Sequence, residues 1–279
     1  MSAPIAVENH FTAWMQNPND PTIPNAIHSA DGAREYGFQA ALVGGVTVYG
    51  WCIPTIFDAV GEDWLDDGWV DVHFRRPTYP GDEMIVQALP GDGGAWSLTA
   101  NKVGGETAIR GEFGLGEAPW LGTLELSAHR EPDPPLDVRE RLTLENAPIG
   151  QDLRTLPFEI SADEIRSHAR DMMRTDNALF AGDHPYVHPF FPVRQMITLL
   201  SYSYDYGRPS IHASSHVQNF SRIPAGEKLL LTGHFIAAYE QRGHHYAVFD
   251  GNLISATDGR EFTRLRHTNI FKVAHRNSA

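Results

Sequence analysis

Residues 181–192 read AGDHPYVHPFFP and bring an aspartate and two histidines together beside three prolines. Histidine titrates near neutral pH without help, and burial can shift an aspartate toward that range, so such groups can exchange protons with a reactant. We therefore predict that Asp183, His188 and His184 form a general acid–base site. A structural interpretation competes with this one, because a Pro-flanked aspartate can also cap a helix by accepting backbone N–H groups.

The apolar segment FPVRQMITLLSYSY (191–204) follows this cluster and predicts a buried helix that begins at the prolines. Amides in the first turn of a helix have no intrahelical acceptor and carry partial positive charge, so they can hold an oxygen that becomes negative. Pro192 has no amide hydrogen. We therefore predict that an oxyanion is held by the backbone N–H groups of Val193, Arg194 and Gln195.

Composition and charge exclude several classes of protein. The chain has 22 basic and 35 acidic residues, a net charge of −13, which weighs against tight binding to nucleic acid or to an anionic membrane. No stretch approaches the roughly 20 apolar residues that cross a bilayer, and the first residues lack the features of a signal peptide. We expect a cytoplasmic protein in which the single Cys52 packs as a small hydrophobe.

Metal and cofactor motifs are absent from the sequence. His184 and His188 are four residues apart, but Pro185 and Pro189 argue against a helix that would present both to one ion. The chain also has no dinucleotide fingerprint, phosphate-binding loop or nucleophile elbow. We predict neither a catalytic metal nor a cofactor.

The elements that must position these groups occur twice. The long apolar segment 37–60 predicts a buried helix, in which Gly44 and Gly45 would permit close approach to a sheet. Strand patterns separated by Gly-rich turns follow at 69–75, 83–89, 95–103 and 107–115. Beyond a linker rich in proline and charge, the order recurs with the helix at 191–204 and strand patterns at 210–220, 228–240, 244–256 and 262–273.

Even the joint between the first two strands recurs, as FRRPTYPGDE (74–83) and FSRIPAGE (220–227). We interpret this as an internal duplication with an N-terminal unit (1–130), a linker (131–150) and a C-terminal unit (151–279). One long helix wrapped by an antiparallel sheet resembles the hotdog fold. Two fused copies resemble the double hotdog of MaoC-like hydratases and dehydratases, so the expected fold class is α+β.

The motif that carries this resemblance lies at the start of NAIHSADGAREYGFQAALVGGVTVYG (25–50). It is similar to the (R)-specific enoyl-CoA hydratase segment Asp-x-Asn-Pro-(Ile/Leu/Val)-His, which is followed by an acidic residue and a helix that starts Ala-His-Gly. Asn25, His28 and Asp31 match, whereas the family's catalytic aspartate falls on Ile23 and its helical histidine on Gly44. The resemblance therefore implies that Asn25, His28 and Asp31 bind substrate and that catalysis belongs to the other unit.

The second unit offers three competing alignments, two with the hydratase motif and one with a related family. In one, Asp183 and His188 keep the five-residue offset of the catalytic pair. In another, NALF (177–180) repeats NAIH, which leaves Phe180 at the histidine position. In the third, His184, Pro189 and Pro192 match the spacing of beta-hydroxyacyl thioester dehydratases, whose acidic partner would fall on Thr198.

The resemblance implies a hydro-lyase that interconverts an enoyl thioester and a 3-hydroxyacyl thioester. The alternatives are a hotdog thioesterase and a non-catalytic protein that binds an acyl thioester or another apolar ligand. A coenzyme A (CoA) or acyl-carrier substrate needs cations for its phosphates, and Arg75, Arg76 and Arg222 at the two equivalent strand joints are the candidates. Hotdog units usually pair, so the chain could form a pseudo-dimer by itself or a homodimer.

Overall fold

One continuous antiparallel sheet of ten strands organises the protein. The structure is a computed structural model that describes residues 5–17 and 25–274. The strands are β1 Val7–Thr12, β2 Gly68–Phe74, β3 Glu83–Pro90, β4 Trp96–Lys102, β5 Thr107–Leu115, β6 Gln151–Glu159, β7 Ile211–Asn219, β8 Lys228–Gln241, β9 His244–Ser255 and β10 Glu261–Lys272.

Two long helices pack against this sheet, and shorter helices join the elements. The helices are α1 Ala30–Glu35, α2 Gly45–Val60, α3 Trp64–Asp67, α4 Ala162–His168, α5 Ala178–Ala181 and α6 Phe190–Ser203. A π-helical turn, Ala169–Met173, continues α4, and 3-10 turns lie at Ala26–His28, Asp92–Gly94 and Leu121–Thr123. Within the described ranges, no helix is long and apolar enough to span a bilayer.

The strand order confirms the duplication. The sheet runs β1-β3-β4-β5-β2 in the first half and β7-β10-β9-β8-β6 in the second, so the two halves repeat one connectivity in opposite directions. They join where β2 pairs with β7, with Val70 opposite Val217. The protein therefore has the expected α+β double hotdog fold.

The eight strands predicted from alternation and turn residues are all present. Two others, β1 and β6, each precede a long helix and were not predicted. Residues 116–150, between β5 and β6, have the turn Leu121–Thr123 as their one helical element. The boundaries of the two units and their linker remain a prediction.

The first long helix begins later than its apolar pattern predicted. Gly37 has a φ of 76°, a left-handed conformation that stops α1, and α2 starts only at Gly45. A Cβ on Gly45 would lie 2.9 Å from Cδ1 of Phe74 on β2, so this glycine does permit the close approach to the sheet that we expected. The N-terminus of α2 therefore lies directly beside the end of β2.

Candidate functional site

A cavity of about 1290 Å³ lies between elements of the two halves. The first half contributes the start of α2, the turn that carries His28, and the segment after β2. The second half contributes one side of α6 and the ends of β7 and β10. Its apolar lining includes Ile27, Leu42, Val43, Val46, Phe74, Phe190, Ile197, Ile211 and Ile270. A cavity of this kind suits an apolar chain with a polar head.

The N-terminus of α2 leaves donors available at this cavity. Gly44 is the N-cap residue, and its carbonyl accepts the N–H groups of Thr47 and Val48 at 2.9 and 3.1 Å. Within the described residues, the amides of Gly44, Gly45 and Val46 have no acceptor. All three residues line the cavity. Partial positive charge at a helix start can therefore act on a ligand oxygen there.

His28 lies beside this helix start with a defined tautomer. Its Nδ1 is 2.8 Å from the Leu42 carbonyl, which can only accept, so Nδ1 carries the hydrogen and Nε2 keeps its lone pair. Burial lowers the pKa of His28, which keeps the ring neutral at neutral pH. A Cβ on Gly44 would lie 3.8 Å from Cε1 of His28. The cavity thus holds a base next to the amide donors.

Asn25 ties His28 to the second half of the chain. Its Nδ2 donates to the Ser210 carbonyl at 2.8 Å and lies 3.5 Å from Nε2 of His28, and its Oδ1 accepts from the Ser210 N–H at 3.3 Å. The predicted substrate-binding residues Asn25 and His28 therefore both lie at the cavity. Asp31 does not, because it is exposed on α1 and pairs with Arg34 at 2.9 Å.

A second imidazole, His212, lines the cavity from β7. Its Nε2 is 3.2 Å from the Ser214 carbonyl and 2.8 Å from Oγ of Ser215, and that hydroxyl lies 3.0 Å from Nδ1 of His267. Because the carbonyl only accepts, Nε2 carries the hydrogen of His212, and Nδ1 has no partner within the described residues. Burial lowers the pKa of His212 to about 3.

Five arginines line the cavity, and the described lining contains no aspartate or glutamate. They are Arg75, Arg76, Arg194, Arg208 and Arg242, all exposed to solvent at its edges. None of them forms an ion pair within residues 5–17 and 25–274. In a chain with a net charge of −13, this concentration of unpaired cations indicates a site for an anion.

The predicted arginines divide into two groups. Arg75 and Arg76 follow β2 at the cavity, as a phosphate-binding role requires. Arg222 does not reach the cavity, because its Nε is 2.7 Å from Asp66 and its Nη2 is 3.1 Å from Asp63. Its guanidinium instead fixes the joint after β7 to α3, so the expectation that it faces a ligand was wrong.

The loop at residues 183–188 does not form the tunnel-facing cluster that we expected. Asp183 and His184 are exposed, and neither lines the cavity. His188 is 2% exposed and packs against the ring of Phe180 with centroids 4.5 Å apart. Burial lowers the pKa of His188 well below its ordinary value. The three side chains therefore do not meet at a common water-filled site.

At the N-terminus of α6, the first two amides of the helix are already bonded to His188. The N–H of Phe190 donates to Nδ1 of His188 at 3.1 Å, and the N–H of Phe191 donates to the His188 carbonyl at 2.9 Å. Pro189 and Pro192 have no amide hydrogen. Of the three predicted donors, Val193 and Gln195 do not line the cavity, and Arg194 lines it. At this cavity the amides without an acceptor among the described residues therefore include those of α2.

The sequence did not predict that the side chains of His212, Arg194, Arg208 and Arg242 line the cavity. His212 stands at the start of a predicted strand, and alternation alone does not say which face of the sheet holds a ligand. The catalytic aspartate position of the resemblance, Ile23, lies outside the described residues. Arg194 was expected to contribute its amide, whereas its side chain lines the cavity.

Comparisons with known proteins support the fold. No protein-family model matches the sequence, and no curated protein matches it. A conserved hypothetical protein of Mycobacterium tuberculosis with a double hotdog fold is similar, with a TM-score of 0.61, 12% identity, and coverage of 97% of this chain and 96% of that one.

Two further solved structures show the range of activities among similar folds. A putative MaoC domain protein dehydratase of Chloroflexus aurantiacus has a TM-score of 0.62 at 11% identity, covering 98% of this chain and 97% of that one. A putative oleoyl thioesterase of Lactobacillus plantarum has a TM-score of 0.50 at 8% identity, covering 97% and 98%. At such identities the likeness establishes the double hotdog fold, which MaoC-like dehydratases and thioesterases share.

Proposed function

We propose that the protein is an acyl-thioester hydro-lyase whose active site is the cavity at the start of α2. One observation carries the proposal: helix amides and five arginines that have no partner in the described part of the chain surround one largely apolar space together with a neutral imidazole base. The amides suit a thioester oxygen, the apolar lining suits an acyl chain, and the arginines suit the phosphates of CoA or a carrier. The catalytic role moves from the loop at 183–188 to His28.

A single base next to the amides is sufficient for water addition. As water attacks the β-carbon of a 2-enoyl thioester, Nε2 of His28 takes its proton, and the electron pair of the carbon–carbon double bond moves to the thioester oxygen. The amide of Gly44, the one beside His28, donates to that oxygen. His28 then returns the proton to the α-carbon, which gives the 3-hydroxyacyl product, and the reverse sequence eliminates water.

This geometry has a stereochemical consequence. One imidazole both activates the water and protonates the α-carbon, so both additions occur on the same face of the enoyl plane. Hydration in D₂O should therefore give the syn product. A mixture of syn and anti products would require a second proton donor and would refute His28 as the sole acid and base.

A thioesterase is the second candidate, because the amide that holds an enolate oxygen equally holds the oxyanion of a tetrahedral intermediate. In that reaction His28 would activate a water that attacks the carbonyl carbon, and the thiol would leave. Thioesterases are among the solved structures with a similar fold. Release of free thiol separates the two activities.

The direct test assays crotonyl-CoA and longer 2-enoyl-CoAs for loss of enoyl absorbance, and acyl-CoAs for thiol release. We expect hydration, and we expect His28→Gln to lower kcat by roughly 10²–10⁴-fold, the usual range for a general base. Asp183→Asn and His184→Gln serve as matched controls and should keep full activity. Loss of activity in these controls with full activity in His28→Gln would overturn the assignment.

The cationic edge of the cavity needs a separate test. Replacing Arg75 and Arg76 together by Gln removes two exposed charges, each worth on the order of 1 kcal/mol near a phosphate in water. KM for an enoyl-CoA should then rise roughly 30-fold, and KM for the matching N-acetylcysteamine thioester, which lacks phosphates, should not change. Arg222→Gln is the matched control, since its guanidinium pairs with Asp63 and Asp66. Equal effects on both substrates would refute phosphate binding by this pair.

A further inference from the structure

Three potential metal ligands lie together on the face of the sheet opposite the cavity. Asp71 and His73 are on β2, and His216 is directly opposite Asp71 on β7. Their neighbours Val70 and Val72 are fully buried in the core, and side chains alternate along a strand, so Asp71 and His73 point to the other face. This cluster is therefore separate from the proposed active site.

The distances between the ligand atoms suit a coordinated cation. Oδ1 of Asp71 lies 3.2 Å from Nε2 of His73 and 3.2 Å from Nε2 of His216. The three ligand atoms all lie within 4.8 Å of one another. Around a tetrahedral Zn²⁺ with bonds of about 2.0–2.1 Å, neighbouring ligand atoms are separated by about 3.3 Å.

Direct pairing is the alternative to an ion at these three atoms. Both imidazoles lie 3.2 Å from Oδ1 of Asp71, and interaction with this carboxylate raises the pKa of His73. The oxygen nevertheless accepts no well-aligned hydrogen bond within the described residues. A hydrogen bond requires N–H to point at the oxygen, whereas coordination requires the lone pairs of all three atoms to converge on a fourth point. The three atoms are therefore close enough to share one cation, which would compete with protonation of the imidazoles.

The surroundings hold one ligand firmly and leave another open to solvent. The ring of Trp120 packs on the ring of His216, with centroids 4.9 Å apart, and limits its rotation. His73 is about half exposed, so a water can complete the coordination shell. A shallow groove of about 560 Å³ lies over Asp71 and His73 and also contacts Glu112 and Arg110.

We propose that Asp71, His73 and His216 bind one divalent transition-metal ion of the Zn²⁺ class. The two histidines come from different halves of the chain, and β2–β7 is the ladder that joins those halves. The bound ion therefore cross-links the two hotdog units. Because it binds the folded state, it raises the stability of that state by mass action.

The test titrates Zn²⁺ into chelator-treated protein by calorimetry and repeats it with Co²⁺, whose visible spectrum reports the ligand geometry. We expect one ion per chain, and a Tm that rises by roughly 5–10 °C at a hundredfold excess over Kd. His73→Gln and His216→Gln should each abolish stoichiometric binding. His129→Gln is the matched control, because His129 lies 3.2 Å from Asp133 in a pair with one imidazole.

Three outcomes would overturn the proposal. They are the absence of stoichiometric binding, binding that survives the double variant His73→Gln/His216→Gln, and equal loss of binding in His129→Gln. A lower Tm in the variants would not affect the test. Co²⁺ absorption reports on the site directly, and it is measured at a temperature at which circular dichroism shows a folded chain. Hydratase activity should stay unchanged in all of them, since the cluster lies on the other face of the sheet.

Discussion

Replacing Gly44 by proline isolates the contribution of one backbone amide. Gly44 has a φ of −58°, which matches the value that a proline ring imposes. Its N–H has no acceptor among the described residues, so the ring removes no internal hydrogen bond. An added Cβ would meet Oγ1 of Thr47 at 3.6 Å and Cε1 of His28 at 3.8 Å, which are ordinary contacts. The variant should therefore fold.

Gly44→Ala is the matched variant, because it adds the same Cβ and keeps the amide. If the Gly44 amide holds the developing oxyanion, Gly44→Pro should lower kcat by roughly 10²–10³-fold relative to Gly44→Ala, which corresponds to about 3–4 kcal/mol in the barrier. KM should change little, since a ground-state carbonyl gains less from this donor than the transition state.

The assay is steady-state hydration of the best 2-enoyl-CoA, with Tm and far-UV circular dichroism of both variants measured in the same buffer. Equal kcat values in two folded variants would refute the role of the Gly44 amide. If Gly44→Pro loses both its activity and its thermal transition, binding of a CoA thioester is measured instead. Retained binding would show that the cavity is still folded.

Three further predictions follow from the charges and buried histidines. Burial lowers the pKa of His28. As the pH falls, log(kcat/KM) should therefore decline with unit slope, and this decline should begin below pH 6.5. A decline that begins above pH 6.5 would contradict His28 as the base. His168, His188, His212 and His267 also have pKa values lowered by burial, to about 4 for His168 and about 3 for His212, so the unfolded chain binds more protons than the native one below pH 6.5. His168 and His212 should each cost about 2 kcal/mol at pH 5, and urea unfolding should show stability lost as the pH falls from 7 to 5; constant stability would refute this. Fully buried Asp250 binds Arg266 through two contacts of 2.7 Å and accepts the Glu125 N–H at 2.8 Å. Asp250→Asn should therefore lower the free energy of unfolding in urea by about 3–5 kcal/mol. Asp205 forms an exposed pair with Arg141, so Asp205→Asn should lower it by under about 1 kcal/mol.

The sequence predicted the sheet well because strand signals are local. Alternation and glycine turns are properties of neighbouring residues, and Gly81, Gly93 and Gly104 all have positive φ at the predicted turns. β1 and β6 were missed because each lies at an edge of the sheet and pairs with one strand that is distant in sequence, β3 and β8 respectively. No hairpin turn therefore marks either strand.

The candidate site was harder to predict, because it depends on the direction of side chains and on hydrogen bonds between distant residues. The loop AGDHPYVHPFFP has the residue types of an acid–base site, yet His188 turns inward to accept from Phe190 while Asp183 stays in solvent. No local pattern distinguishes these directions. The resemblance of residues 25–28 to the hydratase motif did locate the cavity, through Asn25 and His28.

The two copies of the hotdog helix have diverged in how they use the donors of their first turn. At α6, Pro189 and Pro192 have no amide hydrogen, and His188 accepts the N–H groups of Phe190 and Phe191. At α2, Gly44, Gly45 and Val46 keep amides without an acceptor among the described residues, and such a donor would cost about 1–3 kcal/mol if it were closed off from water. Water or a ligand in the cavity can offset that cost, but a closed core could not. The free donors at α2 are therefore stable only because the cavity stays open to a polar occupant, which is the condition that a thioester oxygen satisfies.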